Sequence, residues 1–132
     1  MYLLDTDTII YCLNGVPEVV RSFESHAADP KALSVITYGE LVYGAVKSSR
    51  SVENLARVRR TVELFPVIEV SQAVMDAFGS LKVKLERAGK KVDDFDLVIA
   101  STALMLNYKL VTNNEKHFRH IPGLLIENWA KA

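Results

Sequence analysis

Short unbroken apolar runs recur along this chain, and between them apolar positions return every three or four residues. Tyr2-Leu3-Leu4 is the first run, a short strand that stops at Asp5. Thr6 to Leu13 reads as a brief helix ended by Asn14-Gly15. A second helix follows Pro17 and runs to about Ala28, where Asp29-Pro30 breaks it. Leu33-Ser34-Val35-Ile36 is strand-like, and Thr37 opens a helix through Leu41, Val42 and Ala45. Ser51 to Leu64 is helical, with Leu55, Val58 and Val62 on one face. Pro66 to Val70 is a strand, and Ser71 caps a long helix ending near Gly89. Asp96 to Leu106 is a helix too apolar to lie on a surface; Lys109 to Thr112 and Leu124 to Ile126 close the chain as strands.

Strands alternating with helices, with no hairpin signal between them, predict right-handed crossovers and a parallel sheet. Because the strands are apolar throughout rather than alternating, both faces of that sheet should be covered. The fold class is therefore α/β: one three-layer α/β/α domain over residues 1–132 with a central parallel sheet. Ligands of such sheets bind beyond the carboxyl ends of the strands. Asp5, Asp7, Thr37 to Glu40 and Thr112 to Asn114 fall there.

Composition narrows the setting. With 49% apolar and 24% charged residues the chain is globular rather than disordered. Cys12 is the one cysteine, which excludes an internal disulfide framework and a multi-thiolate zinc site, and suits a reducing compartment. No run approaches the ~20 apolar residues of a membrane span, and the N-terminus lacks the basic flank of a signal peptide. A cytoplasmic protein without a membrane partner is expected. Sixteen basic residues balance sixteen acidic ones, yet residues 47–60 and 82–91 each carry a net charge of +4. Solvated helix faces explain such stretches, and so does a polyanionic partner.

The acids carry the chemistry. Asp5 and Asp7 flank a strand-to-helix turn, where a carboxylate can simply cap the helix. Thr37-x-x-Glu40 has the form of a capping box, although Gly39 and Gly44 sacrifice helix propensity for no capping gain. Asp93, Asp94 and Asp96 exceed what one helix cap needs, and Asp96 adjoins the buried run. A parallel sheet brings Asp5, Glu40 and Asp96 to one edge. Carboxylates gathered there repel unless a cation sits among them, and an all-oxygen set selects Mg²⁺ or Mn²⁺.

At these positions the chain resembles the PIN-domain ribonucleases. Leu3-Leu4-Asp5-Thr6-Asp7 and Ser34 to Gly44 are similar to the first two motifs of that family. Asp96 to Ala103 is similar to the third, and Leu110 to Asn114 with Phe118, Pro122-Gly123-Leu124 and Trp129 to the closing block. Within the family the VapC toxins are the most similar. The resemblance implies a Mg²⁺- or Mn²⁺-dependent endoribonuclease toxin, commonly a homodimer, restrained by a VapB-like antitoxin and cutting RNA, with tRNA among the candidate substrates. It assigns Asp5, Glu40 and Asp96 as metal-binding acids. Where the family has a further acid, this chain offers Asn114 and His117 with Glu115 between them; Asn114 is the candidate fourth catalytic residue, and His117 reads as a polar surface residue. Thr6 and Thr112 would hold a phosphate oxygen or orient a carboxylate. The basic stretches would grip RNA, and Tyr38, Tyr43 and Phe95 are candidate stacking groups. Water attacking in line would leave a 3′-hydroxyl and a 5′-phosphate.

Two other classes compete. Asp5-x-Asp7-x-Ile9 resembles the loop of haloacid dehalogenase-type phosphatases, in which Asp5 would be the nucleophile. A non-enzymatic module could use the acidic edge to hold a partner's arginine.

Overall fold

In the computed structural model, which describes residues 1–131, every strand pairing is parallel. The elements run β1 (Tyr2–Leu4), α1 (Thr6–Leu13), α2 (Pro17–Ser25), β2 (Lys31–Ser34), α3 (Val35–Lys47), α4 (Ser51–Val62) and β3 (Val67–Ile68). They continue with α5 (Gln72–Arg87), α6 (Asp94–Leu106), β4 (Lys109–Val111), α7 (Glu115–Phe118) and β5 (Ile126–Glu127). The sheet order is β3-β2-β1-β4-β5, and helices pack on both faces of the sheet in a three-layer α/β/α sandwich.

Successive strand residues point to opposite faces, and the core divides accordingly. Leu3, Ala32 and Leu110 join Leu81 and Leu85 of α5, Leu97, Ile99, Ala100 and Ala103 of α6, and Phe118 on one side. Leu4, Leu33 and Val111 join Ile9 of α1, Leu41 and Ala45 of α3, Val58 of α4 and Trp129 on the other. The helix predicted to be buried is so: all seven residues from Leu97 to Ala103 are shielded from solvent. Its two hydroxyls are satisfied within the helix, Ser101 donating to the Leu97 carbonyl at 2.7 Å and Thr102 to that of Val98 at 2.8 Å. Asn107 closes α6 in a left-handed conformation, φ 56°. No helix among the described residues is long and apolar enough to cross a membrane.

Several boundaries differ from expectation. β2 ends at Ser34, and α3 begins at Val35 rather than Thr37, with the Ser34 hydroxyl accepting from the Ile36 amide at 3.1 Å as the cap. The predicted capping box is thereby excluded, since Thr37 lies inside the helix. Its hydroxyl is buried without a hydrogen-bond partner. α2 stops at Ser25, the third strand shrinks to Val67–Ile68, and the last strand moves to Ile126–Glu127. α7 was not predicted; four residues are too few for periodicity to register.

Candidate active site

Strand order reverses beside β1: the chain moves outward through β2 and β3, then crosses back to β4 on the other flank. Such a switch point opens a crevice at the carboxyl ends of the central strands. Asp5 leaves β1 there and Thr112 leaves β4 there.

Asp5 is buried, 4% exposed, and both its oxygens are held. Oδ1 accepts the Thr6 amide at 2.8 Å, as the N-cap of α1, and Oδ2 accepts the Thr112 hydroxyl at 2.7 Å. The Thr112 oxygen in turn accepts the Asn114 amide at 3.0 Å. Thr6 serves two acids, because its hydroxyl donates to Glu40 Oε1 at 2.7 Å. Asp5 and Glu40 are thus joined through a single residue, and Glu40 bonds to another helix rather than back to a cap amide of its own.

Asp93, Asp94 and Asp96 separate into three jobs. Asp93 caps α6 by accepting the Phe95 amide at 3.2 Å, and Asp94 pairs with Lys82 at 2.9 Å. Asp96, half-buried in the first turn, meets His117 Nδ1 at 3.0 Å. Asp7 completes the cluster, with Oδ2 accepting the Asn113 amide at 3.1 Å.

The electrostatics follow from this crowding. Burial pushes the Asp5 carboxyl up to about 7, and the negative charges of Asp7 and Asp96 add to the rise while the Thr112 and Thr6 bonds oppose it. Burial also raises Glu40, with Asp96, Asp93 and Asp7 contributing and Thr6 opposing. Asp96 is raised by burial, against the pull of His117, and Asp7 by burial, against its hydrogen bonds to Asn113 and Thr8. Each of these carboxyls is thus held above its ordinary value, and a bound cation would oppose that rise.

The donor set fits an oxygen-preferring divalent ion. Among the described residues no three acid, imidazole or thiol groups close into a ready-made cage. Mg²⁺ does not need one, since it keeps several waters and takes one or two carboxylates. The structure joins three of the expected residues, Asp5, Thr6 and Glu40, directly, brings Thr112 onto Asp5, and sets Asp96 within electrostatic reach of Asp5 and Glu40. Asn114 is exposed and contributes a backbone amide to Thr112; its side chain makes no bond to the acids among the described residues. Asp7 and His117 are the residues that sequence reasoning underweighted. The Asp-x-Asp spacing was a signal for the former. For His117 the signal was its place in the closing block. Of the aromatic candidates, Tyr38 packs against the core, whereas Tyr43 and Phe95 are exposed and line a groove beside Glu40 with Val35, Ile36 and Gly39.

The PIN-domain family model matches residues 2–124. Ribonuclease VapC2 of Rickettsia felis is 35% identical over 99% of both chains. The tRNA(fMet)-specific endonuclease VapC of Salmonella typhimurium is 34% identical over 97% of both. Among solved structures, VapBC2 from Rickettsia felis bound to a DNA fragment from its promoter superposes with a TM-score of 0.90 at 35% identity, covering 97% of this chain and 98% of that one. VapBC-1 from nontypeable Haemophilus influenzae gives 0.87 at 30% identity over 98% of each.

Proposed function

The chain belongs to the PIN-domain family, and from that premise we propose that it is a divalent-metal-dependent endoribonuclease, the toxin of a VapBC-type pair. The observation that carries this reading is the convergence of Asp5, Asp7, Glu40 and Asp96 at the switch point, each raised by burial and each close to another's charge. The similarity to VapC ribonucleases over nearly the whole chain supports it. It also removes the phosphatase alternative.

Asp5, Asp96 and Glu40 would hold Mg²⁺, or Mn²⁺ in its place. When bound, such a cation supplies Lewis-acid polarisation and neutralises charge that develops on the phosphodiester. The chain's own contribution is orientation. Thr112 and the Thr6 amide fix both oxygens of Asp5, and the Thr6 hydroxyl fixes Glu40, so these carboxylates are set before substrate arrives. His117 steadies Asp96 through Nδ1 at 3.0 Å. Asn114 keeps Thr112 in register through its amide and presents its side-chain amide at the rim. A VapB-like antitoxin is the expected partner, a homodimer the expected assembly and the cytoplasm the expected place of action; complexes of VapC relatives with VapB antitoxins support the first.

Glu40→Gln tests the assignment. The substitution keeps shape and one acceptor for Thr6 but removes the charge. Cleavage of single-stranded RNA in Mg²⁺ should fall at least 100-fold, on the order of what loss of a group stabilising the transition state costs, while the melting temperature stays within a few degrees. Parent-level cleavage by Glu40→Gln would refute the catalytic role.

A further inference from the structure

Beside the acidic centre lies a second concavity, a cleft of about 430 Å³ whose walls include Asn113, Asn114, Lys116, His117, Arg119 and Lys131. It is continuous with the acids through two residues. The His117 ring lines the cleft and places Nδ1 3.0 Å from Asp96, and Asn113 lines the cleft while its amide binds Asp7. The charge of the cleft is positive and partly uncommitted. Lys131 is paired with Glu115 at 2.6 Å, and Asn128 also donates to Glu115 at 3.0 Å. Among the described residues neither Lys116 nor Arg119 forms an ion pair.

The two basic stretches visible in the sequence are partly committed: Arg59, Arg60, Lys84, Arg87, Lys90 and Lys91 form no ion pair among the described residues, but four others are held. Lys82 is tied to Asp94 and Arg50 to Glu53, Arg57 donates to the Leu13 carbonyl at 2.7 Å, and Lys47 sits over the Tyr43 ring. What distinguishes the cleft is its place: it sets two unpaired cations and side-chain amides suited to sugar or base edges beside His117 and Asn113, which bind Asp96 and Asp7.

We propose that this cleft is a subsite for the sugar–phosphate backbone of single-stranded RNA, with Lys116 and Arg119 each contacting a phosphate next to the one that is cut. The inference rests on the endoribonuclease reading and extends it to the path of the substrate. Both residues are exposed, so their replacement leaves the core untouched. Phosphate contacts release counterions, and for single strands each one contributes about 0.7 to the slope of log affinity against log salt.

The test uses a labelled single-stranded RNA of about 12 nucleotides and the Glu40→Gln protein in Mg²⁺, with binding followed by fluorescence anisotropy across a salt series. Adding Lys116→Gln and Arg119→Gln should lower the salt slope by about 1.4 and weaken binding roughly 10-fold at low salt. Lys116→Arg should retain the parent slope. Lys90→Gln with Lys91→Gln, in the separate cleft beside Asp93 and Asp94, should leave it unchanged. An unaltered slope in the Lys116/Arg119 protein, or an equal fall in the Lys90/Lys91 protein, would overturn the subsite while leaving the nuclease intact. The same holds if the Lys116/Arg119 change weakens only antitoxin binding. If Glu40→Gln cuts the RNA as fast as the parent, the catalytic reading fails first and the subsite falls with it.

Discussion

Two threonines decide how the acids are presented. Thr6 gives its amide to Asp5 and its hydroxyl to Glu40, and Thr112 gives its hydroxyl to the other oxygen of Asp5. Those bonds limit, but do not cancel, the effect of burial, which lifts Asp5 from an ordinary carboxylate to about 7. An acid raised in the folded state binds protons more tightly there than in the unfolded chain, so stability is full below its unfolded pKa, near 4, and declines as pH rises toward 7. Above 7 the contribution levels off. Without divalent metal, the parent should lose a few kcal/mol across that window from this residue. Asp5→Asn should flatten the decline and melt higher than the parent at pH 8, as thermal unfolding in a chelator would reveal. A steeper decline in the variant would mean that Asp5 is stabilised as an anion.

At the level of elements, the second motif shows how local signals compete. Val35 and Ile36 extend the apolar run of β2, and over so few residues periodicity does not separate a strand end from a helix start. The Ser34 hydroxyl breaks the tie by capping α3 three residues earlier than Thr37 would. Gly39 and Gly44 then sit inside a helix with nothing within 4 Å of where a Cβ would be. No neighbour within the chain requires them. Gly39→Ala and Gly44→Ala should therefore each stabilise the isolated protein by about 1 kcal/mol, measurable by chemical denaturation. Destabilisation would show that the chain itself needs the freedom of glycine there.

Across the whole molecule, the site exists because the sheet order reverses at β1. Asp5, Glu40 and Asp96, separated by dozens of residues, come within electrostatic reach of one another there, and under the proposed function their repulsion would favour a cation, metallic or organic. An antitoxin that seats an arginine beside Asp5, Glu40 and Asp96 would compete with Mg²⁺ for the same charge. Raising Mg²⁺ at constant ionic strength should then weaken inhibition by a VapB-like antitoxin several-fold in an RNA cleavage assay. Inhibition indifferent to Mg²⁺, together with an antitoxin footprint remote from the three acids, would place the block on the RNA path instead.

The parallel α/β class, the buried character of α6 and the candidacy of Asp5, Glu40 and Asp96 were legible in the sequence, because each is written in local pattern: unbroken apolar runs, a helix without a polar face, acids at element junctions. Other features depend on contacts between segments far apart in the chain. Whether Glu40 capped its own helix or turned to another was settled by Thr6, 34 residues away. Asp7 joined the site through the amide of Asn113, and His117 through Asp96. The cationic cleft escaped notice because residues 115–119 carry only one net positive charge. Lys131 draws the charge of Glu115 away only once β5 has brought the C-terminal segment beside α7. Local sequence specifies which groups are present and which elements they begin or end; only the packed sheet decides which of them share a dielectric, and so which are paired, strained or free.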